Sequence, residues 1–114
     1  MKALQMAMLA SFEARAIDHL LKFFPDRFAE NGTESAGALV RRTLAKGEKY
    51  GIRGQRQVVQ LLDTMVLLGE DFDENPRLAW SRKILEDRET PARHRMDEIW
   101  RRLKDHLKGT EPNQ

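Results

Sequence analysis

The sequence contains no cysteine. Disulfides, thiolate nucleophiles and cysteine-based zinc or iron–sulfur sites are therefore excluded. An excess of charge of one sign is missing as well. Lys and Arg number 20 against 18 Asp and Glu, a net of +2. That balance excludes a polycation that coats nucleic acid along its whole length. Aromatic residues are sparse at 7 %, and proline occurs four times. No apolar run approaches the ~20 residues that a membrane-spanning helix needs. The opening Lys2 followed by Ala3–Ala10 has the outline of a short signal peptide. Gln5 interrupts it, and the apolar pattern runs on past it as an amphipathic helix, so a cytoplasmic chain is the expectation.

Catalytic patterns are missing too. There is no Gly-rich phosphate loop, and none of Ser11, Ser35 and Ser81 sits in a nucleophile motif. His19, His94 and His106 lack the spacing to share a metal, because His94 and His106 fall on different faces of one helix. Asp71-x-Asp73-x-Asn75 matches the first ligands of a calcium loop. Pro76 and Arg82 then stand where glycine and glutamate are required. Neither an enzyme nor a bound cofactor or metal is expected.

What remains is helix. Hydrophobic residues make up 40 % and charged residues 33 % of 114 positions, the balance of a folded globular chain. From Lys2 to Phe24, Leu9, Phe12, Ala16, Leu20 and Phe23 recur at helical spacing, a row that Gln5 begins. Pro25 ends that helix and opens a short turn with Phe28 pointing inward. After Asn31-Gly32, Thr33 or Ser35 is placed to cap a second helix that closes at Tyr50-Gly51. Gly37 and Gly47 weaken it by about 1 kcal/mol each relative to alanine, and read as tolerated or as sites of close helix approach. A third helix spans Gln55–Leu68, capped by Gly54 and stopped by Gly69. Its apolar face (Val58, Leu61, Leu62, Met65, Val66, Leu68) marks it as the most buried. The acidic turn Glu70–Glu74 reads as solvated. Asn75-Pro76 and Thr90-Pro91 open two further helices. The last presents Met96, Ile99, Trp100, Leu103 and Leu107 on one face and stops at Gly109. Trp80 and Trp100 read as core or rim fillers. The charges of the last helix, Arg93, Arg95, Arg101 and Arg102 among them, read as a solvated face with pairs such as Asp97–Arg101 and Glu98–Arg102. No segment alternates as a strand. The expectation is an all-α compact single-domain bundle of four to six helices over residues 1–109, with a flexible tail at 110–114.

One stretch stands apart in charge. Arg41, Arg42, Lys46, Lys49, Arg53 and Arg56 face a single carboxylate, Glu48, between residues 41 and 56. Arg41, Arg42, Lys49, Arg53 and Arg56 are the candidate partner-binding residues, for an acidic protein surface or for phosphates. A solvated basic face is the plain alternative. The stretch also spans a helix-turn-helix-like joint, with Gly47, Ile52 and Gln57 at its spacing positions. Glutamine suits the last, buried position poorly, so nucleic acid is the weaker partner.

The central part of the chain resembles a known group. Tyr50-Gly51-Ile52, then Val58, Leu62 and Met65, then Gly69, Phe72-Asp73, Trp80 to Leu85 and Arg95-Met96 carry the likeness. The pattern, over residues 33–100, is similar to small all-helical bacterial accessory proteins of type VI secretion effectors and their chaperones. Arg53-Gly54-Gln55 departs from the Ser or Thr cap and acidic residue expected after the Tyr-Gly-Ile turn. The resemblance implies a non-enzymatic, cytoplasmic adaptor or co-chaperone that binds an effector or its chaperone. Two alternatives stay open: a helix-turn-helix DNA-binding regulator, and an immunity protein that meets a toxin through Glu70–Glu74.

Overall fold

In a computed structural model, residues 2–108 are described, with side chains described over 9–108. The Gln5 side chain lies outside the described side chains, and the Gly109 stop and the tail at 110–114 lie outside the described residues. The fold is all-α. Five α-helices form, with three 3-10 turns and no strand among the described residues. They are α1 (Lys2–Phe23), α2 (Gly32–Tyr50), α3 (Gln55–Leu68), α4 (Ala79–Glu86) and α5 (Ala92–Lys108). No helix among the described residues is long and apolar enough to cross a membrane. The chain divides into two compact units between Ala45 and Lys46, inside α2.

The first unit holds α1, the turn at Pro25–Phe28 and most of α2. Phe12, Ala16 and Leu20 of the α1 stripe are buried, while Leu9 and Phe23 at its two ends are exposed. Pro25 starts the 3-10 turn and Phe28 is buried, as the sequence indicates. The start of α2 differs from expectation. The helix begins at Gly32, and the Ser35 N–H donates to the Asn31 carbonyl, so Thr33 and Ser35 lie inside the first turn and do not cap it. Asn31 takes φ +49°, a left-handed conformation that asparagine tolerates better than most residues. Ala36, Leu39 and Val40 carry the buried side of α2 in this unit.

The second unit is built on α3 and α5. Val58, Leu61, Leu62, Met65 and Val66 of α3 are buried, as are Met96, Ile99 and Leu103 of α5. Leu68 is half-buried and Leu107 is exposed, so each apolar face fades at the helix end. The Trp100 indole N–H donates to the Gln60 carbonyl at 3.1 Å, which fixes the two helices side by side. Gly69 leaves α3 at φ +105°. Asn75 caps with its side chain, accepting from the Arg77 N–H at 3.0 Å. What it opens is a 3-10 turn at Pro76–Leu78, and α4 starts only after that. Thr90 does not cap α5, because the helix starts at Ala92 and Pro91 stands at the cap position; the Thr90 hydroxyl donates to Asp87 at 2.8 Å.

The end of α2 decides how the second unit begins. The Gly51 N–H donates to the Glu48 carbonyl at 3.3 Å and the Ile52 N–H to the Gly47 carbonyl at 2.7 Å. These two bonds define a Schellman motif, with Gly51 at φ +71°. The requirement for Gly47 follows from it. A side-chain carbon at position 47 would run into the Ile52 carbonyl oxygen. Close approach is therefore the correct reason for this glycine, and the approaching atom belongs to the turn, not to another helix.

Candidate functional site

Lys46 and Tyr50 lie four residues apart on α2 and so share a face. Both reach the turn that follows α3. The Lys46 ammonium pairs with Asp73 Oδ1 at 2.5 Å, and the Tyr50 hydroxyl donates to Asp73 Oδ2 at 2.6 Å. The Asp73 side chain is wholly enclosed, and that of Lys46 is 14 % exposed. The Lys46 ammonium also sits 5.8 Å from the centroid of the buried Phe72 ring. Burial by itself raises the carboxyl pKa of Asp73. The hydrogen bonds from Lys46 and Tyr50, with the charge of Lys46, outweigh that and hold it below the ordinary carboxylate range. Burial first, then the hydrogen bond to Asp73 and its charge, pushes the Tyr50 phenol well above its usual value. The reading of the acidic turn as solvated is therefore wrong at Asp73. It holds at Glu70, Asp71 and Glu74, which are exposed.

Arg95 is a second correction. It sits on α5 one helical turn before Ile99 and is buried, not part of a solvated face. Its guanidinium donates to three backbone carbonyls: Tyr50 at 2.8 Å, Leu85 at 2.7 Å and Thr90 at 2.8 Å. Tyr50 and Leu85 stand at the C-terminal ends of α2 and α4, where unpaired carbonyls and the helix dipole favour a cation. Burial, and then the neighbouring charge of Arg88, pulls the Arg95 pKa below its ordinary value. Arg88 completes this end of α2. Its Nη2 donates to the Lys49 carbonyl at 2.6 Å, and its guanidinium lies over Gly51.

The candidate partner-binding residues fall in both units. Arg41 and Arg42 are exposed in the first unit, whereas Lys49, Arg53 and Arg56 are exposed in the second. Lys46 is withdrawn from the basic stretch by Asp73. The Lys49 ammonium lies 5.2 Å from the Tyr50 ring centroid, and Arg53 pairs with Glu48 at 3.1 Å. Arg53 and Arg56 flank the start of α3, whose first turn carries no acidic residue and whose cap, Gly54, offers no side-chain acceptor. The expected pairing on α5 also shifts. Glu98 takes both Arg101, at 2.5 Å, and Arg102, at 3.0 Å, so Arg101 is spent on Glu98 instead of Asp97. These two hydrogen bonds, Arg101's first, hold the Glu98 pKa below its usual range.

A cleft of about 500 Å³ between α4 and α5 is lined by Ile84, Asp87, Thr90, His94, Asp97 and Glu98, among others. Two of its three carboxylates already have work: Asp87 accepts from Thr90, and Glu98 holds two arginines. No group of His, Asp and Glu with metal-binding geometry occurs among the described residues. Sequence reasoning missed Asp73, Arg95 and Arg88. A signal existed for Arg95, which falls one turn before Ile99 on the buried row. The i,i+4 pair Lys46 and Tyr50 likewise points at a common partner. Arg88 carries no such signal, because its partner atom is a backbone carbonyl 39 residues away.

The fold and these contacts define an all-α protein whose enclosed ionisable groups pin the ends of helices. No protein-family model, curated protein or solved structure matches the chain.

Proposed function

We propose that the chain is a non-enzymatic, protein-binding accessory, an adaptor or co-chaperone for a type VI secretion effector or for that effector's chaperone. One observation carries the reading. The ionisable groups enclosed in the second unit (Lys46, Tyr50, Asp73 and Arg95) satisfy one another or backbone carbonyls. Catalysis by acid and base needs such groups presented to a substrate. Here they are consumed in holding helix ends, which supports a rigid scaffold that acts through its surface. The likeness of Tyr50-Gly51-Ile52, Phe72-Asp73 and Arg95-Met96 to secretion accessory proteins gains physical sense from this. Tyr50, Phe72, Asp73 and Arg95 all belong to the contacts that pin the second unit.

The accessory binds its client in the cytoplasm, covers part of the client's surface and releases it to the secretion machinery. Affinity purification of the tagged protein from its native host, with nuclease treatment as control, tests this. The expected result is a secretion effector or effector chaperone recovered in stoichiometric amount and insensitive to nuclease. Recovery that depends on nucleic acid, or a chain that turns over a small-molecule substrate, overturns it.

A further inference from the structure

The corner where α2 meets α3 carries a cationic surface assembled from two distant pieces of chain. From the α2–α3 segment come Lys49, Arg53 and Arg56, all exposed. From the turn after α4 comes Arg88, also exposed, which the sequence places 37 residues beyond Gly51. The fold brings it back. Arg88 is anchored by the 2.6 Å hydrogen bond to the Lys49 carbonyl, and its guanidinium covers Gly51, where a side-chain carbon would stand about 3.0 Å from Nη1. The absence of a side chain at position 51 therefore serves two ends: the left-handed turn, and the seat of Arg88. Beneath it lies Arg95, a buried cation of the same sign.

The acidic residues around this corner are Glu48, Glu86, Asp87 and Glu89. Glu48 is engaged by Arg53, and Asp87 accepts from the Thr90 hydroxyl. Glu86 is in turn paired with Arg82, so the surplus at this corner is cationic: Lys49, Arg56 and Arg88 are exposed against Glu89. The Lys49 and Arg88 positions are held by the structure and not left to a mobile chain. A guanidinium fixed by one of its own donors keeps the others free to fork onto a carboxylate.

We infer that the α2–α3 corner, with Lys49, Arg53, Arg56 and Arg88 as its contact residues, is the docking face for a carboxylate-rich protein segment. The inference rests on the accessory role proposed above and assigns its surface. Arg41 and Arg42 belong to the first unit.

The full chain is titrated with an oligoglutamate peptide at low salt, and its backbone amide resonances are followed. The largest shifts are expected at Lys49, Gly51, Arg53 and Arg88. Arg88→Gln and Lys49→Gln each weaken the peptide about fivefold, the loss of one partly screened ion pair. Lys83→Gln, an exposed cation on α4, leaves the affinity unchanged. Because Arg88 also bonds the backbone, its variant is checked for an unchanged amide spectrum; Lys49→Gln carries the test if that check fails. Equal weakening by Lys83→Gln, or shifts centred on Arg101 and Arg102, overturns the face. So does a DNA duplex that binds the same residues more tightly than the peptide. A client captured from the host whose binding ignores both Arg88→Gln and Lys49→Gln overturns this face while leaving the accessory role intact. Failure of the unsubstituted chain to capture any client overturns the role itself.

Discussion

At the scale of single residues, Asp73 concentrates more of the interior's charge than any neighbour. It accepts from one ammonium and one phenol with both of its oxygens. Removing its charge leaves the Lys46 ammonium, 14 % exposed, facing an amide that cannot balance it. Asp73→Asn should cost about 3 kcal/mol, the price of stranding one half of a buried pair. Urea denaturation measures it. Adding Lys46→Met to Asp73→Asn removes the stranded charge and should restore at least about 1 kcal/mol, a coupling that a double-mutant cycle reads directly. Strict additivity of the two losses would mean the pair is not coupled as its geometry says. Arg95 follows different rules, because its partners are carbonyls that stay in place after mutation. Arg95→Leu orphans acceptors at Tyr50, Leu85 and Thr90 together. The expected loss is about 3 kcal/mol, and faster hydrogen exchange should appear at the end of α2 and the start of α5. A variant as stable as the parent would remove the pinning role assigned to this side chain.

At the scale of elements, the Schellman end of α2 yields the sharpest test. Gly47→Ala gains about 1 kcal/mol of helix propensity and then meets the Ile52 carbonyl. Backbone cannot swing aside as a flexible side chain does, so the clash prevails and the variant loses about 2 kcal/mol in thermal or urea unfolding. A stabilised Gly47→Ala would show that the turn yields. This element also marks the limit of what the sequence discloses. Tyr50-Gly51-Ile52 reads plainly as a helix stop, because glycine at the C′ position followed by an apolar residue is a local signal. The extent of α3, Gln55–Leu68, is equally plain from its apolar period and its flanking glycines. Gly47 is not plain, since the atom that demands it is a carbonyl folded back from five residues ahead. The start of α2 misleads because two good capping residues, Thr33 and Ser35, follow an asparagine that enters the left-handed region itself. The candidate face was partly legible. Lys49, Arg53 and Arg56 stand out as a run of charge, but nothing local says that Lys46 is withdrawn inward by Asp73 or that Arg88 returns to the same corner. Those facts live in pairings 27 and 39 residues apart, which a pattern of nearest neighbours does not encode.

At the scale of the whole molecule, the enclosed charges make stability depend on pH from two sides. Asp73 has a folded pKa below its unfolded value of about 3.9, so its contribution is complete above about pH 4 and is lost as pH falls through the folded value. Glu98, held down by Arg101 and Arg102, acts in the same direction. Tyr50 lies on the other side. Its folded pKa is raised above the unfolded value of about 10, so its contribution is complete below about pH 10 and is lost as pH climbs toward the folded value. The unfolding free energy should therefore be flat through neutral pH and fall at both ends. Two substitutions separate the causes. Tyr50→Phe should flatten the alkaline decline and leave the acid one in place. Asp73→Asn should flatten the acid decline, yet retain part of the alkaline one, because burial is the largest cause of the raised phenol and survives the loss of Asp73. If Asp73→Asn abolished the alkaline decline completely, the phenol would owe its shift to the carboxylate alone. The buried face of Tyr50 would then be wetter than its 3 % exposure describes.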